Sequence, residues 1–447
     1  MKRSPWRYLW KSEDIRKKLL ITFFLLVLYR LAANIPVPGI NQSVLAQLSN
    51  VQGAAGNLVN LLDLLSGGTI SSFSILAMGV YPYITAQIIL QLLGPIIPAL
   101  ERRMKENPRE YQKWMEKWTV ILTVPMALLS AVGQVNIFAS LVNQAPSAVL
   151  TGYGSSDILR TVTPLAAMVA GTMFGIWLGQ LISEYGIPNQ GLSLIIFAGI
   201  VARMPSHLGS LLADQVNGWW MLLVVVFILV LTIFAIIYVQ QGRRNVPVLF
   251  PGRRVGNRMS MPVRSNLPLM VNMAGMIPLI FAQSILTFPA IVASYFTRVE
   301  TQWIADLATG IYRTFGGQNT GYAVMYFFMV VVFTFFYTDV LFQQQNYGEN
   351  LKKQGAQIPG VVRGAPTQKY LGKVQRRITL PGAVFLGVVA VLPYIVGLVL
   401  PGSVSGSGLL LISSAGLLIV VGVVRDTFTI IETELKLHGY DEGLIKG

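Results

Sequence analysis

Ten apolar stretches, separated by polar and charged connections, dominate the hydropathy pattern of this chain. An α-helix needs roughly 20 apolar residues to cross a bilayer, and the pattern therefore predicts an all-α polytopic membrane protein. Most charged residues fall between the stretches, where they would meet water or lipid headgroups. The predicted spans lie at about residues 19–33, 74–94, 118–140, 160–182, 192–204, 218–239, 268–293, 321–342, 379–400 and 407–424.

The second span differs from an ordinary lipid-facing helix. It follows a glycine pair at 67–68, contains Pro82 and carries several hydroxyl and amide side chains. A short apolar piece with one acid, Asp63, precedes it at 58–65. Non-helical backbone at membrane depth is tolerated only where protein or a water-filled cavity surrounds it. A short helix, a glycine break and a full span therefore predict a re-entrant segment that lines a passage.

Lysine and arginine are concentrated in alternate connections. The N-terminal segment, the connections after spans 2, 6 and 8, and the tail contain nearly all of them. The other connections are poor in basic residues, and Arg160, Arg298 and Arg313 are the main exceptions. Because basic residues stay on the cytoplasmic side of a membrane, we expect both termini to be cytoplasmic, which agrees with an even number of spans.

Ten spans divide into two halves of five. A repeated half with an odd number of spans must be inverted relative to its twin, and the polar, proline-bearing spans 2 and 7 then occupy matching positions. The predicted organisation is a cytoplasmic N-terminal segment at 1–18, a first half at 19–205, a second half at 206–424 with cytoplasmic loops at 240–266 and 343–377, and a cytoplasmic tail at 425–447.

Composition narrows the possible functions. The 447 residues are 53% hydrophobic and only 12% charged, about half the 25% that is usual for soluble domains. The absence of cysteine excludes disulfides and thiolate metal sites. We attribute the net charge of +15 to membrane topology in preference to nucleic-acid binding. The first apolar run is not followed by the small-residue cleavage site of a signal peptide.

Signatures of catalysis are missing, so we predict neither an enzyme nor a metal or cofactor site. The histidines His207 and His438 are expected at the surface. Ionisable residues that mark ion or proton pathways are scarce, since Arg30, Arg203 and Asp339 lie near span ends. This favours a passive pore that partners open. The alternatives are a ten-span secondary transporter of a small solute and a scaffold with no transport role.

Proline and glycine residues within the spans allow more than one interpretation. Pro82 and Pro278 each break a helix ladder, which means either a simple kink or a bend that shapes a cavity. Every fourth residue from Gly171 to Gly179 is glycine, a spacing that favours close packing of helices in lipid.

The two long basic loops exceed the dozen or so residues of ordinary connectors. One explanation is topology together with anionic-lipid binding. The other is a docking surface for a negatively charged partner, such as ribosomal RNA or an acidic motor protein. Charge alone does not separate these explanations. The residues predicted to dock a partner are Arg243, Arg244, Arg253, Arg254, Arg258, Lys352, Lys353 and Arg363.

Several motifs resemble the SecY family of protein-translocation channel subunits, and the resemblance covers essentially all ten spans. The most specific match is Ser74–Gln91, SILAMGVYPYITAQIILQ. The further matches are Ile35–Gly39 (IPVPG), Leu267–Ala282 (LPLMVNMAGMIPLIFA), Asn350–Gly360 (NLKKQGAQIPG) and Lys369-Tyr370.

The resemblance implies a central pore between the two halves that conducts unfolded secretory chains, with a lateral gate formed by spans 2 and 3 against spans 7 and 8. It implies a plug at about 58–70 that includes Leu58, Leu61, Leu62, Asp63 and Leu65. Its pore ring consists of Val80, Ile84, Ile196, Ile280 and Ile419. Branched apolar side chains would make a narrow, yielding constriction that blocks ions by dewetting.

The resemblance also implies partners and a location. The expected partners are the small membrane subunits SecE and SecG, the motor ATPase SecA, the ribosome, the unfolded preprotein and membrane lipid. The expected location is the inner (plasma) membrane, with many spans and both termini in the cytoplasm.

Two loops depart from the family pattern. The connection between spans 4 and 5 usually reads G-I-G-N-G, and here Gly186–Gly191 reads GIPNQG. The second basic loop usually reads P-G-I-R-P-G, and here Pro359–Gly364 reads PGVVRG. The family's motor-activating arginine therefore aligns with Val362, and we expect Arg363, one place later, to substitute for it.

Overall fold

The computed structural model describes most of the 447-residue chain in eleven segments. They are residues 12–41, 73–141, 146–151, 158–212, 218–251, 254–255, 258–259, 263–296, 301–315, 320–399 and 414–437. Arg253 and the predicted plug residues lie outside these segments, namely Leu58, Leu61, Leu62, Asp63 and Leu65.

Ten helices of 16 residues or more, one for each predicted span, run through the described segments. Each is rich in apolar side chains, and a helix satisfies its own backbone polar groups in lipid. They are α1 Glu13–Ala32, α2 Tyr81–Ile96, α3 Pro108–Leu141, α4 Ile158–Tyr185, α5 Gly191–Leu212, α6 Gly218–Gln241, α7 Ile277–Phe296, α8 Thr320–Gln345, α9 Ala365–Val399 and α10 Ser414–Leu437.

Length and apolar composition alone single out four described helical segments that could cross a membrane. They are Arg109–Asn136, Ile158–Tyr185, Gly321–Lys353 and Ala365–Val396. Shorter apolar segments occur in three more helices, at Gly191–Ala202, Val226–Gln241 and Ile277–Ala290. The other long helices, α1, α2 and α10, overlap predicted spans 1, 2 and 10.

Pro82 of span 2 and Pro278 of span 7 stand at the beginning of helices, not inside them. Pro82 and Pro278 are the second residues of α2 and α7, where the missing proline N–H breaks no intrahelical hydrogen bond. Three residues before each proline, a glycine turns the chain in the left-handed region, Gly79 with φ of +52° and Gly275 with φ of +65°. The prediction that these prolines break helices is wrong, because both helices start one residue before them.

The first basic loop folds as a β-hairpin. Strands β1 (Arg243–Phe250) and β2 (Val263–Met270) pair in antiparallel fashion, and a short second pair, Arg254–Val255 with Arg258–Met259, lies towards the tip. Val246 faces Leu267 across the pair. The predicted start of span 7 at residue 268 is therefore wrong, because apolar residues that alternate in a strand were taken as part of a helix.

The second basic loop packs against this hairpin. It contains a short helix, Tyr347–Lys353, and it ends in the first turns of α9. The backbone N–H groups of Leu249 and Gln357 each donate to the carbonyl of the other residue at 2.8 Å. We refer to residues 243–270 and 347–378 together as the basic platform. Its buried core consists of Val246, Val248, Leu269, Leu351, Ala356, Ile358 and Leu371, and Phe342 of α8 packs into it.

The two halves meet along two seams. On one side α2 and α3 pack against α7, and on the other α5 packs against α10 and α6. Within the first half, α4 contacts α1, α3 and α5, and within the second half α9 contacts α8, α6 and α10. Side chains from α2, α5, α7 and α10 meet in one buried cluster between the halves.

The charged ends of the first and last helices belong to the bundle. Ile15 of α1 is 2% exposed and packs against Phe428 and Ile431 of α10. Lys18 forms an ion pair with Glu434. The predicted boundaries at residues 18, 205 and 424 therefore fall inside α1, α5 and α10. At α1 and α10, side-chain packing between the two helices extends them beyond their most apolar stretches.

The glycines of α4 face several different neighbours. A Cβ at Gly171 would overlap the carbonyl oxygen of Ile75, which lies in the turn before α2. A Cβ at Gly179 would come within 2.8 Å of Leu192 in α5. At Gly175 the nearest atoms would lie at 3.5 Å, an ordinary contact. Close packing thus requires glycine at position 171, where the neighbour is backbone, whereas at position 179 the neighbour is the end of a flexible leucine side chain.

Candidate functional site

The five residues predicted to form a pore ring lie together in one buried apolar cluster. Val80 is 1% exposed, Ile196 5%, Ile280 7% and Ile419 2%, while the half-buried Ile84 packs against them. They come from the start of α2 and from α5, α7 and α10, so each half contributes. We refer to these five residues as the central apolar cluster.

Matching helices of the two halves present these side chains at matching positions. Ile84 and Ile280 each lie five residues after the left-handed glycine that precedes α2 or α7. Ile196 and Ile419 are each the sixth residue of their helix, α5 or α10. These paired spacings, in the second and fifth helix of each half, are the local pattern expected of an inverted repeat.

Backbone hydrogen bonds stabilise the turn that positions Val80. The N–H of Ile75 donates to the carbonyl of Ile35 at 2.9 Å, and the N–H of Val37 donates to the carbonyl of Phe73 at 3.1 Å. The segment that follows α1 is thereby paired with the turn before α2. This contact explains why a polar, proline-rich stretch follows the first helix: it provides backbone partners for a turn that has no helix of its own.

The turn before α7 is held by one side chain, that of Asn272. Its Oδ1 accepts from the N–H of Gly275 at 3.0 Å, and its Nδ2 donates to the carbonyl of the same residue at 3.1 Å. Asn272 is 3% exposed. Its two hydrogen bonds hold Gly275 in the left-handed conformation, two residues before α7 begins and five residues before Ile280. Sequence reasoning missed this role, although asparagine side chains often form hydrogen bonds with the backbone of a turn.

A second buried cluster crosses the seam between the halves. Ile88 of α2 packs with Phe281 of α7 and Tyr337 of α8, which are 3%, 2% and 6% exposed. The ring of Phe281 meets Tyr337 edge-on at 5.4 Å and Phe333 edge-on at 6.1 Å. Such apolar and aromatic contacts can part without leaving a charge buried. The gate expected from spans 2, 3, 7 and 8 corresponds to this seam.

The basic platform carries most of the predicted docking cations at its surface. Arg243, Arg244, Lys352, Lys353 and Arg363 are exposed. In addition, Arg254 and Arg258 lie on the short strands near the hairpin tip. The platform thus presents a cationic outer face above an apolar core.

One acidic residue, Glu349, reduces the positive charge of this face. The carboxylate of Glu349 lies 3.3 Å from the ammonium group of Lys353. The hydrogen bond from Lys353, and then its charge, hold the pKa of Glu349 below the usual value. Both side chains are exposed, so the pair is worth little to stability. Its consequence is that Lys353 offers less free charge to a partner than its neighbour Lys352.

The departure from the family pattern in the second loop lies on an exposed turn. Gly360 and Gly364 adopt left-handed φ values of +78° and +94° on either side of Val362 and Arg363. Val362 is 72% exposed, and its carbonyl accepts from the hydroxyl of Thr367 at 2.8 Å. Either side chain is therefore accessible to a partner on the same turn.

Side chains at the start of α9 join the platform to the bundle. Arg376 donates two hydrogen bonds to Asp339 of α8, at 2.8 and 3.2 Å. Next to it, Gln375 is 1% exposed and donates to the carbonyl of Met270 at 3.1 Å. From the sequence, Asp339 was placed near a span end and no partner was named, because Arg376 lies 37 residues away on a different helix.

Comparison with known sequences gives one family. A family model described as SecY matches residues 74–428. Three relatives carry the name protein translocase subunit SecY: that of Chlamydia trachomatis is 35% identical over 98% of this chain and 97% of its own length, that of Streptomyces griseus 37% over 98% of both, and that of Thermotoga maritima 36% over 98% and 96%.

Comparison with solved structures supports the same grouping. One neighbour, described as a protein conducting channel, has a TM-score of 0.61 at 17% identity and covers 98% of this chain and 99% of its own. Another, Sec61 in the canine ribosome–channel complex, has a TM-score of 0.58 at 17% identity with the same coverage. At this identity the likeness concerns the fold, and it confirms the predicted class of a ten-span helical membrane protein in two inverted halves. By sequence and by fold, the chain belongs to the SecY family.

Proposed function

We propose that this chain is the channel subunit of a protein translocase, and that it passes unfolded secretory chains across the membrane. The observation that carries the proposal is the central apolar cluster, in which four helices from both halves bring branched apolar side chains together. A dry apolar constriction blocks ions by dewetting. Because side-chain contacts alone close it, a polypeptide can push the ring apart.

The seam formed by α2, α3, α7 and α8 is the proposed lateral gate. Its contacts are apolar, as in the cluster of Ile88, Phe281 and Tyr337. When the seam parts, an apolar segment in the pore can leave for the bilayer. The free energy that drives its exit is about 25 cal/mol per Å² of apolar surface removed from water. In the same proposal, residues 58–70 form the plug that fills the pore at rest.

The proposed partners follow from the platform and from the relatives. An exposed cationic face attracts ribosomal RNA or an acidic protein without sequence specificity, and one structural neighbour is a channel in a ribosome complex. We propose the ribosome, SecA and the unfolded preprotein as partners at this face. We propose SecE and SecG as membrane subunits, in an inner (plasma) membrane that places the platform and both termini in the cytoplasm.

A small-solute transporter and an enzyme have less support. A coupled transporter buries ionisable residues along its pathway, whereas the buried polar residues of the described segments are all uncharged. The relatives are named as translocase subunits, and we propose no catalytic role for this chain.

The test is the resting ion leak of reconstituted vesicles. Ile84→Gly together with Ile280→Gly removes branched side chains from two opposed helices, so the leak should rise while preprotein still crosses. The matched control is Ile121→Gly in α3, which removes an isoleucine that is 48% exposed. A leak no larger than that of the control would contradict the assignment of the constriction.

A further inference from the structure

A short helix, Gln302–Phe315, joins α7 to α8 at the ends farthest from the basic platform. The chain enters α7 from the hairpin, leaves it at Phe296, forms this helix, and returns through α8 to the second basic loop. Connectivity thus places the helix on the opposite side of the membrane from the platform.

One face of this helix is buried against the protein. Ala308 is 3% exposed, and Tyr312, four residues on, packs against a buried cluster of the first half that includes Phe73 and Phe138. A residue of the second half therefore rests on the first half. This contact fixes the rotation of the helix about its own axis.

The remaining surface divides into an apolar arc and a polar arc. Trp303 and Leu307, four residues apart, lie on one line along the helix and are 68% and 56% exposed. The exposed residues Gln302, Asp306 and Arg313 lie on a neighbouring line about 100° away. In water, exposing tryptophan and leucine side chains together on one arc of a helix is unfavourable.

The adjoining spans also expose large apolar side chains. Phe296 at the end of α7 is 47% exposed, and Val324 and Phe328 of α8 are 51% and 59% exposed. In a membrane protein of this family such side chains meet lipid. Trp303 and Leu307 add two exposed apolar side chains on the helix that connects these two spans.

We infer that the Trp303–Leu307 face of this helix lies in the interfacial layer of the bilayer, with lipid as its partner and with the Asp306–Arg313 face in water. Tryptophan is enriched at this depth because its ring is amphipathic, and a helix with one apolar and one polar arc binds there. Because Tyr312 contacts the first half, the helix links the lipid surface to the seam. The inference rests on the proposed membrane topology, in which this side is the outer one.

The absence of cysteine allows a direct measurement. Single variants Leu307→Cys and Asp306→Cys, at adjacent positions on different arcs, each carry a nitroxide spin label. The channel is reconstituted with its partner subunits in vesicles of phosphatidylethanolamine and phosphatidylglycerol. Collision with oxygen, which concentrates in lipid, is compared with collision with a water-soluble nickel complex. The oxygen-to-nickel ratio should be severalfold higher at position 307 than at position 306.

Two results would overturn the inference: equal access of the nickel complex to both labels, or shielding of both labels from both reagents, which would mean a protein partner. Preprotein translocation by both variants serves as the folding control. Reaction of Asp306→Cys with a membrane-impermeant maleimide in intact cells tests the side of the membrane separately. Failure of that reaction would contradict the proposed topology, whereas a lost difference between the labels with normal translocation would contradict this inference alone.

Discussion

The central apolar cluster and the basic platform are built in opposite ways. The central cluster takes side chains from four helices, and apolar side-chain contacts join these helices there. The platform joins its two loops through an antiparallel hairpin, the paired amides of Leu249 and Gln357, and a buried core. Both regions are apolar inside, but only the platform adds a network of backbone hydrogen bonds between its parts.

This difference separates a part that must open from a part that must hold its shape. Apolar contacts have no preferred direction, so the helices around the central cluster can move apart and return. Backbone hydrogen bonds are directional and costly to leave unmade, so the platform keeps its cations in fixed positions. A mutation in one region should therefore leave the other largely unchanged.

The largest effect is expected from the core of the platform. Leu371 is fully buried there, and Leu371→Ala should reduce platform stability by about 2–5 kcal/mol. Hydrogen exchange at Leu249 and Gln357 would measure the loss, and the resting ion leak should not change. Val263→Ala, at a position that is 62% exposed, should change stability by no more than about 0.5 kcal/mol. A larger ion leak in Leu371→Ala would contradict the prediction that a mutation in one region leaves the other unchanged.

The next effect is expected from a glycine that supports the central cluster. Gly171→Ala places a Cβ on the carbonyl of Ile75 and should cost about 1–3 kcal/mol. The displaced turn carries Val80, so the ion leak should rise while partner binding stays unchanged. Gly175→Ala is the matched control, because its Cβ would meet Leu76 at an ordinary 3.5 Å and alanine favours a helix by up to about 1 kcal/mol. Identical melting temperatures and leaks for the two variants would contradict this prediction.

Charge reversal on the platform should weaken binding without affecting the pore. Arg243→Glu, Arg244→Glu and Arg363→Glu should each weaken binding of ribosomes or SecA, and each should lower the slope of log affinity against log salt by about 1 per lost contact. The control is Arg313→Glu, at an exposed position on the other side of the bundle. Titration of binding at several salt concentrations measures the slope. An unchanged slope for Arg363→Glu would mean that this residue does not replace the family's arginine.

The smallest effect is expected from Glu349. Its pKa is lowered by Lys353, so the small stabilisation from this pair is present above the usual glutamate pKa and is lost as pH falls through the lowered value. Glu349→Gln should mimic the acid state and free Lys353. Binding of an anionic partner should therefore tighten slightly at neutral pH, by less than any arginine reversal weakens it. Binding that weakens would show that Glu349 itself contacts the partner.

Hydropathy predicted the spans well because a lipid-crossing helix must be apolar along its length. It misjudged the ends of elements, where local signals compete. Pro82 was interpreted as a break inside a span, although it stands at the start of α2. Strand β2 was merged with span 7 because its alternating apolar residues adjoin the apolar start of α7.

Site residues were predicted in two different ways. The five ring residues came from motif resemblance, and the structure brings them into one cluster, while their role as a seal stays a prediction. Asn272 and the Asp339–Arg376 pair were not predicted as structural contacts. Their roles depend on a turn geometry and on a partner 37 residues away, which no local pattern specifies.

The sequence by itself determined that this chain crosses a membrane many times, which connections are basic, and to which family it is related. These properties follow from composition and order, because lipid selects apolar helices and topology follows charge. The tertiary structure alone decided that the two basic loops share one core, that Gly171 makes room for the turn before α2, and that α2, α5, α7 and α10 meet at one point. These features arise from contacts between residues far apart in the chain, where shape and packing, and not local preference, choose the partners.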